Sequence, residues 1–158
     1  MSSHFIRKAR VQDVKAIHSL LMSCSKQDLL LPRPVGELYS HLREFFVVAE
    51  DGAPPEQPAN GCCALSICWE DLAEIRSLAV LPEHLGKNIG TELTQTVLQE
   101  AISFDVKKVF TLTYKPDFFK QFDFVQIKRS DLPLKIWADC IICVKFPDCD
   151  EIAMMKEF

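Results

Sequence analysis

With 158 residues, 48% of them hydrophobic and 25% charged, the chain has the size and balance of one globular core that buries roughly two thirds of its unfolded surface. A net charge of −4 supplies no basic field over an extended surface and argues against nucleic acid as the main partner. No apolar run approaches the ~20 residues that span a bilayer, and the opening Met1-Ser2-Ser3-His4-Phe5-Ile6-Arg7 lacks a secretory pattern, so a cytoplasmic protein with no membrane partner is expected.

Residues 5–9 read as a short strand, and Asp13 precedes Val14, Ile17, Leu20 and Leu21 at helical spacing, so an amphipathic helix follows at once. Pro32, Pro34 and Gly36 then interrupt regular structure, with a short helix expected over 37–43. Residues 45–49 are the next strand, ended by the turn signal Asp51-Gly52. The proline-rich stretch 52–61 reads as an exposed connection to two further strands, 62–69 and 74–80, the second stopped by Pro82, which has no N–H for a ladder. Residues 90–104 place Leu93, Val97, Leu98, Ala101 and Ile102 on one stripe and Glu92, Gln95, Gln99 and Glu100 on the other, the pattern of a helix that covers a sheet. A strand over 108–113, a short helix over 116–122 and a strand over 124–128 complete the order. The expected fold is α/β, a mixed and mostly antiparallel sheet flanked by helices.

The seven cysteines are an odd number, which suits thiols or metal ligands in a reducing compartment better than a disulfide framework. Cys24, Cys62, Cys63 and Cys68 stand among apolar residues and read as small buried hydrophobes. Cys140-Ile141-Ile142-Cys143 followed by Cys149 fits part of a tetrahedral zinc site, with Asp148 or Asp150 as the fourth ligand. A cluster of buried thiols and a redox-sensitive pair stay open beside it.

The run Val80-Leu81-Pro82-Glu83-His84-Leu85-Gly86-Lys87-Asn88-Ile89-Gly90-Thr91 leads from a strand into the long helix. Successive N–H groups at such a place point outward at the positive end of the helix dipole, where an anion such as a diphosphate would sit. Glycine, and after it asparagine, tolerates the left-handed backbone that such a cradle needs. Any strand-to-helix turn can hold a glycine, so the loop alone leaves an ordinary turn equally open.

Ile6-Arg7-Lys8-Ala9 with Asp13, then Glu74-Ile75-Arg76-Ser77-Leu78-Ala79-Val80, Pro82 and residues 85–90, resemble the sequence frame of the GNAT acetyltransferases over about residues 5–125. The resemblance implies a single GNAT domain over residues 1–158, with a cysteine-containing C-terminal segment 132–158. It also implies acetyl-CoA as co-substrate. Its arm would lie along the backbone of Leu78, Ala79 and Val80, and its diphosphate on the amides of Leu85, Gly86, Lys87, Asn88, Ile89, Gly90 and Thr91. Four positions depart from the family's habit: Leu85 replaces Arg or Gln, Asn88 and Asp123 replace glycines, and Phe119 stands where a tyrosine is common.

Within the family, Leu30-Leu31-Pro32-Arg33 with Glu37-Leu38-Tyr39, Phe45-Phe46-Val47, Leu112-Thr113-Tyr114 and the tail through Trp137-Ala138-Asp139-Cys140 are most similar to short bacterial N-acetylglutamate synthases. That similarity implies transfer of acetyl to the α-amino group of L-glutamate or a similar amino acid, in arginine biosynthesis. Arg33 would take the acceptor carboxylate through its planar fork, with Leu31, Arg76 and Ser77 beside it; the plainer reading of Arg33 is an exposed loop arginine. Glu74 would be the base that frees the amine, or a carboxylate paired with Arg76 or a lysine. Tyr114 would protonate the leaving thiolate, or serve only in packing. Acetylation of another amine or a protein, and a non-catalytic acetyl-CoA-binding regulatory module, are the alternative functions. The oligomeric state, a homodimer included, is left open.

Overall fold

The computed structural model describes residues 4–26, 33–50, 60–81, 88–132 and 151–158. In chain order the described elements are β1 (His4–Lys8), a 3-10 turn (Val11–Asp13), α1 (Val14–Lys26), α2 (Val35–Ser40), a second 3-10 turn (Leu42–Glu44), β2 (Phe45–Glu50), β3 (Gly61–Trp69) and β4 (Leu72–Val80). They continue as α3 (Ile89–Ser103), β5 (Lys108–Thr113), α4 (Pro116–Lys120), β6 (Val125–Gln126), a 3-10 turn (Arg129–Asp131) and β7 (Ile152–Glu157). The strand order is β1-β2-β3-β4-β5-β7-β6, which makes the expected mixed, mostly antiparallel sheet.

β1 pairs antiparallel with β2, from His4 opposite Glu50 to Lys8 opposite Phe46, and β2 pairs antiparallel with β3. Glu70 and Asp71 alone separate β3 from β4, a connection that only antiparallel neighbours can make. β4 and β5 run parallel, with Leu72 opposite Lys108 and Glu74 opposite Phe110. Parallel neighbours need a long crossover, and α3 supplies it.

The residues divide into two compact units, Met1–Ser66 with Ile75–Phe104, and Ile67–Glu74 with Asp105–Phe158. In the first, α1 buries Val14, Ile17, Leu20, Leu21 and Cys24, its apolar stripe, with Leu38 of α2, Phe45 and Val47 of β2, Cys62 and Ala64 of β3 and Ala79 of β4. Removing one such leucine to alanine costs on the order of 2–5 kcal/mol, because the hole left behind closes only in part. In the second, Leu72, Phe110, Leu132 and Ala153 form the core, flanked by Cys68, Leu112, Ile127 and Met155. Phe118, Phe119, Phe122 and Phe124 stack edge to face around α4, with Phe119 and Phe124 buried.

Three differences from the sequence reading have local causes. The helix expected over 37–43 starts earlier and ends earlier, because Pro34 at its N-cap holds φ −64 and ψ 149, a shape that launches the helix from the next residue. The strand expected over 124–128 shrinks to Val125–Gln126, since Arg129–Asp131 curls into a 3-10 turn held by Leu132 N–H to Arg129 O, 3.0 Å. Finally, β7 lies in the C-terminal segment, where the sequence pattern predicts no strand. It inserts between β5 and β6, with Phe110 opposite Met155 and Val125 opposite Met155, and its methionines carry a weak strand signal.

Cys24, Cys62 and Cys63 are buried and Cys68 is partly so, as apolar fillers should be. Burial first, and then the neighbouring Cys24, push the Cys62 thiol up to about 12; burial likewise pushes Cys63 up. Both therefore stay protonated and serve as packing groups, not nucleophiles.

Candidate functional site

Arg33 is 5% exposed, so the loop-surface reading of this residue does not hold. Its Nε donates to Glu37 Oε1 at 2.9 Å, and its Nη1 donates to Ser77 Oγ at 3.0 Å. Nη2 lies 2.8 Å from the same Glu37 oxygen without the alignment of a hydrogen bond, and among the described residues it has no acceptor. The guanidinium also lies 5.3 Å from the ring centre of Phe45, where a cation gains from the aromatic face. A buried cation with an idle N–H is costly unless a further acceptor reaches it. This arrangement suits a planar anion such as a carboxylate.

Ser77 explains why Arg33 finds a partner in the middle of a strand. Its φ is 56°, the left-handed region, which costs an ordinary residue roughly 1–2 kcal/mol. A left-handed residue interrupts the pleat, so the alternation of faces in a regular strand does not pass through this point. Cys62 helps to hold the irregular backbone by donating Sγ–H to Ser77 O at 3.3 Å.

Past Ser77, β4 runs on through Leu78, Ala79 and Val80. Leu81 N–H donates to Asn60 O at 2.9 Å, which fastens the end of β4 to the start of β3. Asn88 then stands at φ 61 and ψ 15 as the N-cap of α3, the backbone shape foreseen for it. The first intrahelical bond runs from Glu92 N–H to Asn88 O, 3.0 Å. The N–H groups of Ile89, Gly90 and Thr91 precede it and have no partner within the helix. They are what a diphosphate would meet, at the positive end of a helix of 15 residues. Asp123, the other residue standing where the family favours glycine, has φ 69°.

Glu74, Arg76 and Tyr114 are each partly buried and each makes an interaction within the fold. Glu74 and Arg76 share β4, whereas Tyr114 follows β5. Leu31, Leu85, Gly86, Lys87, Cys140, Cys143 and Cys149 lie outside the described residues. Among the described residues there is no group of three or more side chains able to hold a metal ion. Nor is any described helix long and apolar enough to cross a membrane. Glu37, Phe45 and Cys62 entered the site unforeseen; the four-residue step from Arg33 to Glu37 was the one sequence signal that pointed to such a pair.

The pattern of the Acetyltransferase (GNAT) family matches residues 14–124. An uncharacterized N-acetyltransferase of Chlorobaculum tepidum is 40% identical over 154 residues, 96% of this chain and 94% of that protein. An amino-acid acetyltransferase of Mycobacterium tuberculosis is 32% identical over 134 residues, 85% of this chain and 75% of that protein. A crystal structure from Mycobacterium tuberculosis, solved in complex with CoA, superposes with a TM-score of 0.79 at 28% identity and covers 98% of this chain and 99% of that one.

Proposed function

The chain belongs to the GNAT family of acetyltransferases, and on that premise we propose that it moves acetyl from acetyl-CoA to the α-amino group of L-glutamate or a similar amino acid. Such a reaction feeds arginine biosynthesis. The family membership itself carries the coarser statement, an acetyl-CoA-dependent N-acetyltransferase. The amino-acid acceptor is supported by one observation above others: a guanidinium 5% exposed, with an N–H that no described acceptor meets. The relative named amino-acid acetyltransferase agrees with it.

In this reading Arg33 holds the acceptor's carboxylate, Glu37 and Phe45 keep the fork in plane, and Ser77 caps its far side. Leu31 and Arg76 line the same acceptor site. The amides of residues 85–91 hold the diphosphate, the described part of them being Asn88, Ile89, Gly90 and Thr91. Acetyl-CoA supplies an acyl group activated as a thioester and a thiolate that leaves readily. Glu74 takes the proton from the acceptor's ammonium, directly or through a water, because only the neutral amine is a nucleophile. Tyr114 returns a proton to the thiolate. Most of the rate comes from holding the two reactants in register, which in well-oriented systems is worth about 7–11 kcal/mol.

A thiol-release assay with acetyl-CoA tests the acceptor. L-glutamate and its side-chain amide are compared with amines of the same length that lack the α-carboxylate. Turnover is expected to fall on the order of 100-fold when that carboxylate is absent, since a buried donor left unmet costs about 1–3 kcal/mol. Equal turnover with the decarboxylated amines would instead point to another amine or a protein as acceptor. Tight CoA binding with no turnover on any amine would favour a regulatory module.

A further inference from the structure

Gly61, the first residue of β3, sits where a side chain has no room. A Cβ there would stand 3.1 Å from Ala79 O, 3.1 Å from Ile89 Cγ2 and 3.1 Å from Leu93 Cδ1. Such contacts are tighter than ordinary van der Waals approach, so each neighbour has to give by a few tenths of an ångström. Gly61 φ lies outside the left-handed region; the position demands space, not backbone freedom.

The three crowded atoms belong to two places. Ala79 O is on the stretch of β4 beside which the acyl arm is proposed to run. Ile89 and Leu93 are buried residues of the first turns of α3, whose N–H groups are proposed for the diphosphate. Two bonds fasten β3 to β4 on either side of Gly61: Leu81 N–H to Asn60 O, 2.9 Å, and Cys62 Sγ–H to Ser77 O, 3.3 Å. The glycine is thus the point where the strand and the start of the helix approach the same bare Cα.

We propose that Gly61 is a positioning residue for acetyl-CoA: its missing side chain sets how closely the outer end of β4 and the first turn of α3 can stand. This rests on the placement of acetyl-CoA given above. A methyl group here pushes on Ala79 O and on side-chain methyls of Ile89 and Leu93, whose backbones are proposed to match a rigid diphosphate and its arm, while the three atoms nearest to it include none of Arg33, Glu37 or Phe45. Gly36 makes the control, because a Cβ there meets nothing within 4 Å.

The experiment measures kcat, both KM values and the melting temperature for the wild type, Gly61→Ala, Gly61→Ala/Leu93→Val and Gly36→Ala. Since a 1 Å misplacement is worth on the order of 100-fold, a shift of a few tenths should raise the KM for acetyl-CoA about fivefold in Gly61→Ala. The KM for the amine should stay within about twofold, as uniform binding of the other substrate is untouched. Removing Leu93 Cδ1 in the double variant should recover part of the loss, and Gly36→Ala should match the wild type. Should Gly61→Ala alone fail to fold, the double variant is read in the same way. An unchanged KM for acetyl-CoA, or an equal rise in both KM values, overturns the positioning role. Amide signals of Ala79, Val80, Ile89, Gly90 and Thr91 in labelled wild type, followed as CoA is added, separate the two levels. If CoA leaves them unmoved, the placement of acetyl-CoA is wrong. If CoA moves them and Gly61→Ala keeps a normal KM, only the role of Gly61 fails.

Discussion

Two arginines on the same compact unit meet carboxylates in opposite ways. Arg7 lays its fork against Asp13, Nη1 to Oδ2 at 2.7 Å and Nη2 to Oδ1 at 3.0 Å, and Asp13 Oδ2 also accepts the N–H of Arg10 at 2.7 Å. Arg33 instead bonds a single oxygen of Glu37 through Nε alone, while Nη2, close to the same oxygen but not aligned on it, keeps an N–H without a described acceptor. The first pair is complete and ties β1 to the turn that opens α1. The second is deeper and unfinished. A guanidinium matched on both arms has nothing to offer a ligand, whereas a buried one with an idle donor is pre-ordered for one.

The largest effect that separates the pairs is expected in acceptor kinetics. Arg33→Ala should lower kcat/KM for the acceptor by about 100-fold, near 3 kcal/mol, while Arg7→Ala stays within about twofold. Arg33→Lys should restore little of it, since an ammonium is a point charge without the planar fork. A loss in Arg7→Ala as large as that in Arg33→Ala would erase the distinction.

Stability should reverse the order. Asp13→Asn is expected to cost about 1–2 kcal/mol in urea unfolding, the worth of hydrogen bonds to a charged group discounted for partial exposure. Its pH dependence has a defined sign. Burial pushes the Asp13 carboxyl up, but the Arg7 hydrogen bond, the Arg10 N–H and both positive charges outweigh it and leave it below the ordinary value. A depressed carboxylate contributes stability that is complete above the unfolded pKa and is lost as the pH falls through the folded one. The gap between wild type and Asp13→Asn should therefore be flat between about pH 5 and 7 and should close below about pH 4. A gap that widens toward acid would contradict the pairing.

The smallest effect concerns Glu37. Glu37→Gln keeps an oxygen for Arg33 Nε and removes a negative charge from beside the incoming carboxylate, so the KM for the acceptor should fall about two- to threefold. A tenfold rise would mean that the charge on Glu37, and not its oxygen alone, holds the fork in place.

Legibility differed between the same regions for physical reasons. The stripe of α1, that of α3 apart from Ile102, which is exposed, and the apolar runs of β2 and β5 announce themselves, because burial on one face imposes a period on the sequence. Asn88 was legible too: a turn that usually takes glycine needs positive φ, and asparagine is the residue that tolerates it next best. The left-handed turn of Ser77 was not, since the surrounding Ile75, Arg76, Leu78 and Ala79 read as an ordinary strand and a single left-handed residue leaves no trace in a hydrophobic pattern. The burial of Arg33 depends on that residue, 44 positions away, and on Phe45. Between Pro32 and Pro34 the local pattern alone leaves an arginine open to a surface reading; its place beside Ser77 came from the family resemblance, and tertiary structure turns it inward.

The most direct test follows the guanidinium nitrogens of Arg33 and Arg7 by NMR in labelled protein, with CoA present, as L-glutamate is added. The Arg33 Nη signals should shift and their rotation slow as the carboxylate occupies the idle N–H, with the Arg7 signals unmoved. Arg33 signals that do not change at glutamate concentrations supporting turnover would contradict the account.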